Sequence, residues 1–347
     1  MSSIVPLPKG SDFLIETPLA AWPLVPELAL APPGAQVEAT WCEGCLRRLS
    51  PAVPAAEGAA FPRCVRRRIS EKRPPVPEDA VVGGPGQASS ESVAGAPAMY
   101  CSGCSARLAG KPTFLTSELL WCWRRWQVAR SPESCVGLEA FARCFAQVAC
   151  TAASLRASLG AEPSAALNEA LRPYERLAAP PADGSVTLHG TDASEVSAEL
   201  RASEPFYSAL VEALGGNEEA DALLSEASVG AMAGRLVLNA AAFEVPNAGL
   251  GGAPLRGAAL FVILSTMNHG CAPTAVATFA ESSEVTLRTL RDVDAGEALT
   301  LGYVPGDWPV EARRERLRHW FFECDCPCCE AEACISKALA AEMTATE

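Results

Sequence analysis

Histidine is scarce here, with only His189, His269 and His319 in 347 residues. Any metal centre must therefore be built largely from sulfur. Long apolar runs are missing too. The best candidate, Ala258–Met267, is interrupted by Ser265 and Thr266 and falls well short of the roughly 18 apolar residues that span a bilayer. No N-terminal apolar run resembles a secretory signal, so a soluble, membrane-free, cytoplasmic or nuclear protein is expected. Basic charge is low, with 28 Lys and Arg against 41 Asp and Glu for a net charge of −13. That balance argues against direct nucleic-acid binding, which needs a basic surface, and it would steer basic partners such as Lys-rich protein tails. The short run Arg66–Arg68 with Lys72 and Arg73 reads as a solvated loop or a localisation signal. What the chain does have is cysteine. Fifteen is an odd number, and without a secretory signal, reduced metal-binding thiols are expected rather than a disulfide framework.

Along the chain, Asp12–Glu16 reads as a short strand. Residues 66–98 are rich in Pro, Gly, Ser and charge with no apolar period, the composition of a disordered insertion. From Thr113 to about Leu214 the pattern is helical. Thr116 or Ser117 can cap a helix through Trp121, Trp123 and Trp126, and Gly160 stops a second one. Ser194–Leu214 gives one or two more. From Gly234 the texture becomes strand-like, with short segments at Val276–Phe279, Val285–Leu290 and Ala298–Tyr303. Cys122, Cys135, Cys144 and Cys150 stand at irregular spacings in helical sequence and read as small buried apolar residues.

Two cysteine groups have metal-ligand spacing. Cys324-x-Cys326-x2-Cys329 supplies three thiolates where zinc wants four, with Cys328 and Cys334 as neighbours. Cys42-x2-Cys45 and Cys101-x2-Cys104 are two knuckles able to share one zinc across a long loop, because closure entropy grows only logarithmically with length. Cys64 has no partner three residues on, where Arg67 stands.

The order Asn268-His269-Gly270-Cys271, then Gly296–Tyr303, then Cys324 to Cys329 resembles the C-terminal part of SET-domain protein lysine methyltransferases. Tyr100-Cys101-Ser102 is similar to a MYND finger and points to the MYND-containing, SMYD-like branch. The resemblance implies an α+β fold, a split SET domain of short β-clip-like strands carrying an inserted zinc finger, a helical insert and a zinc-bound post-SET tail. The implied divisions are 1–40 for a truncated N-terminal SET part, 41–110 for a reduced finger and 111–233 for the helical insert. The SET core takes 234–305, the post-SET segment 306–335 and a tail 336–347. Cys271 becomes the fourth ligand of the C-terminal zinc. Asn239, Asn268, His269, Tyr303 and Phe322 are expected to bind S-adenosylmethionine, with Tyr303 catalytic and Trp320 lining a substrate-lysine channel. A protein or peptide lysine is the implied substrate and a monomer the implied state.

Three departures from the family pattern stand out. The Gly-x-Gly turn that precedes Pro8-Lys9-Gly10 in the family is missing, Gly270 replaces a serine, and Thr274 replaces an asparagine. Two functions follow: methyl transfer from S-adenosylmethionine to a protein lysine, or a non-catalytic SET and zinc scaffold that binds protein partners.

Overall fold

The computed structural model describes residues 1–24, 41–42, 44–47, 114–130, 136–181, 192–246 and 254–335. The disorder expectation for 66–98 and the Cys64, Cys101, Cys104 and Cys135 assignments lie outside these residues. Within them the chain begins with strands β1 (Asp12–Glu16) and β2 (Ala20–Pro23). A helical stretch follows: α1 (Ser117–Arg130), α2 (Leu138–Leu159), α3 (Pro163–Glu175), α4 (Ala193–Ala202), α5 (Glu204–Leu214), α6 (Asn217–Leu223) and α7 (Glu226–Asn239). Strands β3 (Ala240–Val245), β4 (Leu255–Leu260), β5 (Asn268–His269), β6 (Ala275–Thr278), β7 (Val285–Thr289) and β8 (Thr300–Leu301) come next, then α8 (Val310–Leu317) and a helix over residues 327–335.

The local rules account for most of these elements. The Thr116 hydroxyl accepts the Leu119 amide at 3.2 Å and caps α1. Gly160 adopts φ 64°, the left-handed conformation that ends α2 at low steric cost. Cys144 and Cys150 are buried as expected. Cys122 is exposed instead, because it sits one residue, and so about 100° of helix rotation, away from the buried Trp123. Strand texture begins at Ala240 rather than Gly234. Residues 234–239 complete α7, whose Val229, Met232, Ala233 and Leu236 bury at helical spacing.

The sheets bring the two ends of the chain together. β4 lies between β2 and β3, both antiparallel to it, with Ala20 opposite Leu260 and Ala240 opposite the same residue. β7 lies between β1 and β6. Leu7 and Val293 exchange two backbone hydrogen bonds, and Met1 accepts one from Leu299. The first 23 residues are thus woven into the last third. Alternation along β2 and β4 sorts the side chains onto two faces. Ala20, Trp22, Ala258 and Leu260 pack with the helices, whereas Ala21, Ala259, Phe243 and Val245 join a second core with Phe261, Met267 and Leu287. In the helical core Glu139 is gripped by Arg124 at 2.7 Å and Arg143 at 2.6 Å. Burial opposes its ionisation, but the two guanidinium charges win and hold its carboxyl below the ordinary range. No helix among the described residues is long and apolar enough to cross a membrane.

Glu16, at the end of β1, connects this framework to the segment ahead of Asn268. Its buried carboxylate accepts the amides of Val262, Ile263 and Leu264 at 2.7 to 2.8 Å, filling the orphan donors of a short 3₁₀ turn, Leu264–Thr266. Charge-assisted bonds of this kind are each worth about 1.5–3 kcal/mol. Glu16→Gln, which turns one acceptor into a donor facing those amides, should lower the unfolding free energy by about 2–3 kcal/mol in urea titration. A change within about 0.5 kcal/mol would show that the turn holds itself.

Candidate metal centre and adjoining aromatic site

Past the 3₁₀ turn the chain runs through β5, which pairs parallel with β8: Asn268 sits opposite Thr300 and His269 opposite Leu301. This pairing places Cys271 beside the strand that leads to Tyr303. A Cβ on Gly270 would lie 2.8 Å from the Thr300 hydroxyl oxygen, so a side chain at 270 would collide with Thr300. Thr300 is itself held, since its amide donates to the Thr274 hydroxyl at 2.8 Å and its own hydroxyl accepts the Thr274 amide at 3.1 Å. Gly270 and Thr274, two of the departures from the family pattern, are therefore matched to one another through Thr300.

The sulfur atoms of Cys271, Cys324, Cys326 and Cys329 all lie within 4.8 Å of one another. Cys271 is 3.8 Å from Cys324 and 3.4 Å from Cys329. Zinc–thiolate bonds of about 2.3 Å in a tetrahedron set sulfurs about 3.8 Å apart, so the donor set fits zinc in both identity and spacing. Cys328 and Cys334, the competing neighbours, are exposed and outside the cluster. Cys326 immediately precedes the helix over 327–335. Burial opposes its ionisation, yet the Cys329 amide and the neighbouring thiols bring its pKa down to about 7. Cys271 moves the other way, pushed up by burial and by the surrounding thiols.

His269 joins this cluster to the aromatic site. Its Nδ1 accepts the Tyr303 backbone amide at 3.1 Å, so the ring proton sits on Nε2, 3.2 Å from the Cys271 sulfur. Burial, with the Arg313 cation nearby, lowers its pKa and keeps it neutral. Ring centroids of His269, Trp320 and Phe322 lie 5.5, 5.1 and 6.5 Å from that of Tyr303, and Phe322 lies 6.1 Å from His269. The Tyr303 hydroxyl donates to the Met267 carbonyl at 2.5 Å. Burial raises its pKa and keeps it protonated, so the oxygen lone pairs can still accept. Asn268 is exposed, and among the described residues its side chain has no hydrogen bond. Trp320 donates its indole N–H to the Leu238 carbonyl at 2.9 Å, docking the segment that follows α8 on the end of α7.

Asn239 makes its side-chain hydrogen bonds within the fold. Its amide accepts from the Ala178 nitrogen at 3.2 Å and donates to the Ala178 and Arg235 carbonyls at 2.8 and 2.7 Å. It ties the segment after α3 to the end of α7, and these bonds leave its donors committed. At the first cysteine knuckle, the Gly44 amide donates to the Cys42 sulfur at 3.3 Å and the Leu46 amide closes back on the Cys42 carbonyl. Its expected partners Cys101 and Cys104 lie outside the described residues.

A largely antiparallel framework carrying a four-cysteine cluster able to hold a metal, beside an aromatic cluster, is the class of protein that these observations define. Comparison with known proteins narrows it. A 77-residue stretch is 36% identical to histone-lysine N-methyltransferase SMYD3 of Mus musculus, covering 22% of this chain and 18% of that one. The chain is also 32% identical over 77 residues to N-lysine methyltransferase SMYD2-B of Xenopus laevis, again 22% and 18% of the two chains. Over 104 residues the chain is 34% identical to histone-lysine N-methyltransferase ATXR4 of Arabidopsis thaliana, 30% of each. The match thus spans only 18% to 30% of the length of these relatives, and no family model matches the chain.

If the four sulfurs hold one metal, Cys326→Ser should lower the zinc content by about one ion per chain in elemental analysis. An unchanged content would remove Cys326 from the ligand set.

Proposed function

We propose that the chain is a protein-lysine N-methyltransferase that uses S-adenosylmethionine. It is built as a split SET domain with a helical insert and a zinc-bound post-SET tail, and it acts as a monomer. The observation that carries this reading is the gathering of His269, Trp320 and Phe322 around the Tyr303 ring, fastened through His269 to the cysteine cluster. The sequence similarity to lysine methyltransferases supports the reaction class. The pairing of the first 23 residues with strands of the last third supports a SET domain divided by insertions.

Asn268, His269 and Phe322 would hold the cofactor, whose sulfonium supplies an electrophilic methyl group when bound. The exposed Asn268 amide offers donors and an acceptor, and Phe322 offers a flat apolar face. Tyr303 and Trp320 would receive the substrate lysine. An apolar aromatic wall disfavours the ammonium form and so favours the neutral, nucleophilic amine. The Tyr303 oxygen, whose proton is committed to Met267, accepts an N–H from that amine and orients its lone pair. Cys42 and Cys45, together with Cys101 and Cys104, would hold a second, structural zinc.

Tyr303→Phe removes only that oxygen. It should leave binding of S-adenosylmethionine within a few-fold and lower methyl transfer to a lysine peptide or protein mixture by about tenfold or more, equivalent to about 1.4 kcal/mol. Zinc content should stay at the parental value. Equal transfer by the variant would take Tyr303 out of the mechanism. A parent that neither binds the cofactor nor transfers methyl would favour the scaffold function.

A further inference from the structure

Arg313, on α8, is a buried guanidinium that the proposed reaction does not use. Its side chain is 1% exposed. One arm of the fork, Nη2, donates to the Cys329 sulfur at 3.5 Å and to the Glu332 carboxylate at 3.0 Å. The other, Nη1, donates to the Gly306 and Trp308 carbonyls at 3.3 and 2.5 Å. Nε is buried without a partner. Among the described residues its one ion-pair partner is Glu332, whose side chain is 44% exposed and largely solvated, so it compensates a buried cation poorly. Taking a guanidinium out of water costs several kcal/mol unless an opposite charge meets it. A zinc ion with four thiolates carries a net charge of −2, and Cys329 brings that charge to Arg313.

We infer that Arg313 is a positioning residue of the metal site: it balances the charge of the zinc–thiolate cluster and orients Cys329 through an N–H···S bond, while His269 donates to Cys271 on another side. The inference rests on the cluster holding zinc, and it assigns to Arg313 a share of the metal's retention. The same guanidinium fixes the turn at Gly306–Trp308, so the segment after Tyr303 and the ligand segment are registered by one side chain. Partners of this kind outside the ligand set typically change metal affinity by about 10–100-fold when removed.

The test compares the parent with Arg313→Met, which keeps an unbranched apolar stem but loses the charge and the donors. Competition with a chromophoric chelator should show zinc held about 10–100-fold less tightly in the variant. In the cobalt-substituted proteins, the thiolate-to-cobalt charge-transfer band should move to longer wavelength, because the sulfur loses a hydrogen bond. Loss of folding stability alone would not move that band. Where Arg313→Met does not fold, Arg313→Lys replaces it: lysine keeps the charge but lacks the fork, so the band must still shift and zinc affinity should fall less steeply. Parental zinc affinity with an unmoved band in the folded variant overturns the role of Arg313. A parent that yields no zinc attributable to Cys326 overturns the cluster reading beneath it, a result told apart by metal content alone.

Discussion

The His269 ring is the joint on which the site depends. One nitrogen accepts the backbone amide of Tyr303, and the other donates a hydrogen bond to the sulfur of Cys271. Neither bond forms unless β5 and β8 are paired in the register that sets His269 opposite Leu301. That register in turn follows from the turn that Glu16 holds and from the Thr274–Thr300 exchange. A neutral imidazole has one donor and one acceptor, and here both are used. The ring is therefore a fixed spacer between the aromatic cluster and the four cysteines rather than a proton-transfer group.

This arrangement explains why the cysteine cluster and the aromatic cluster belong to one unit. Cys271 comes from the strand region, while Cys324, Cys326 and Cys329 come from the tail. A metal joining them would close the tail over Tyr303, and the tail already brings Trp320 and Phe322 to that residue. Trp320 further ties the tail to Leu238 at the end of α7. The helical part, the strands and the tail thus converge on the same few residues. Removing one sulfur ligand would loosen contacts in all three.

Much of this is legible in the sequence because the signals are local or chemically narrow. The helix stop at Gly160, the cap at Thr116 and the strand at Asp12–Glu16 follow from backbone preferences that act within a few residues. Cysteines crowded at ligand spacing serve metal binding far better than they serve packing. What stays hidden depends on distance in the fold. Glu16 looks like any acidic residue ending a strand, and only the return of β4 beside β2 puts the Val262–Leu264 amides against it. Arg313 reads as one of several arginines in a charged helix, with nothing local to mark it as the buried one. The hydrogen bonds of Asn239 are hidden for a related reason. The residue stands where helix α7 ends, and a helix end offers its own carbonyls to a nearby amide before any ligand does.

The same distinction bears on Gly270 and Thr274. Read along the chain, each weakens the resemblance, since each replaces a residue that the family pattern expects. Read in space, they describe one solution to a packing problem. With Thr300 on the neighbouring strand, there is room for hydrogen at position 270 and a use for a hydroxyl at position 274. The strand pair is then stitched by side chain to backbone across the point where Asn268 and His269 must be presented. A motif departure whose neighbours have adjusted to it keeps the geometry that the motif serves. On that physical ground, these two substitutions do not count against the site, and the chemistry turns on whether Asn268, His269 and Phe322 receive a cofactor.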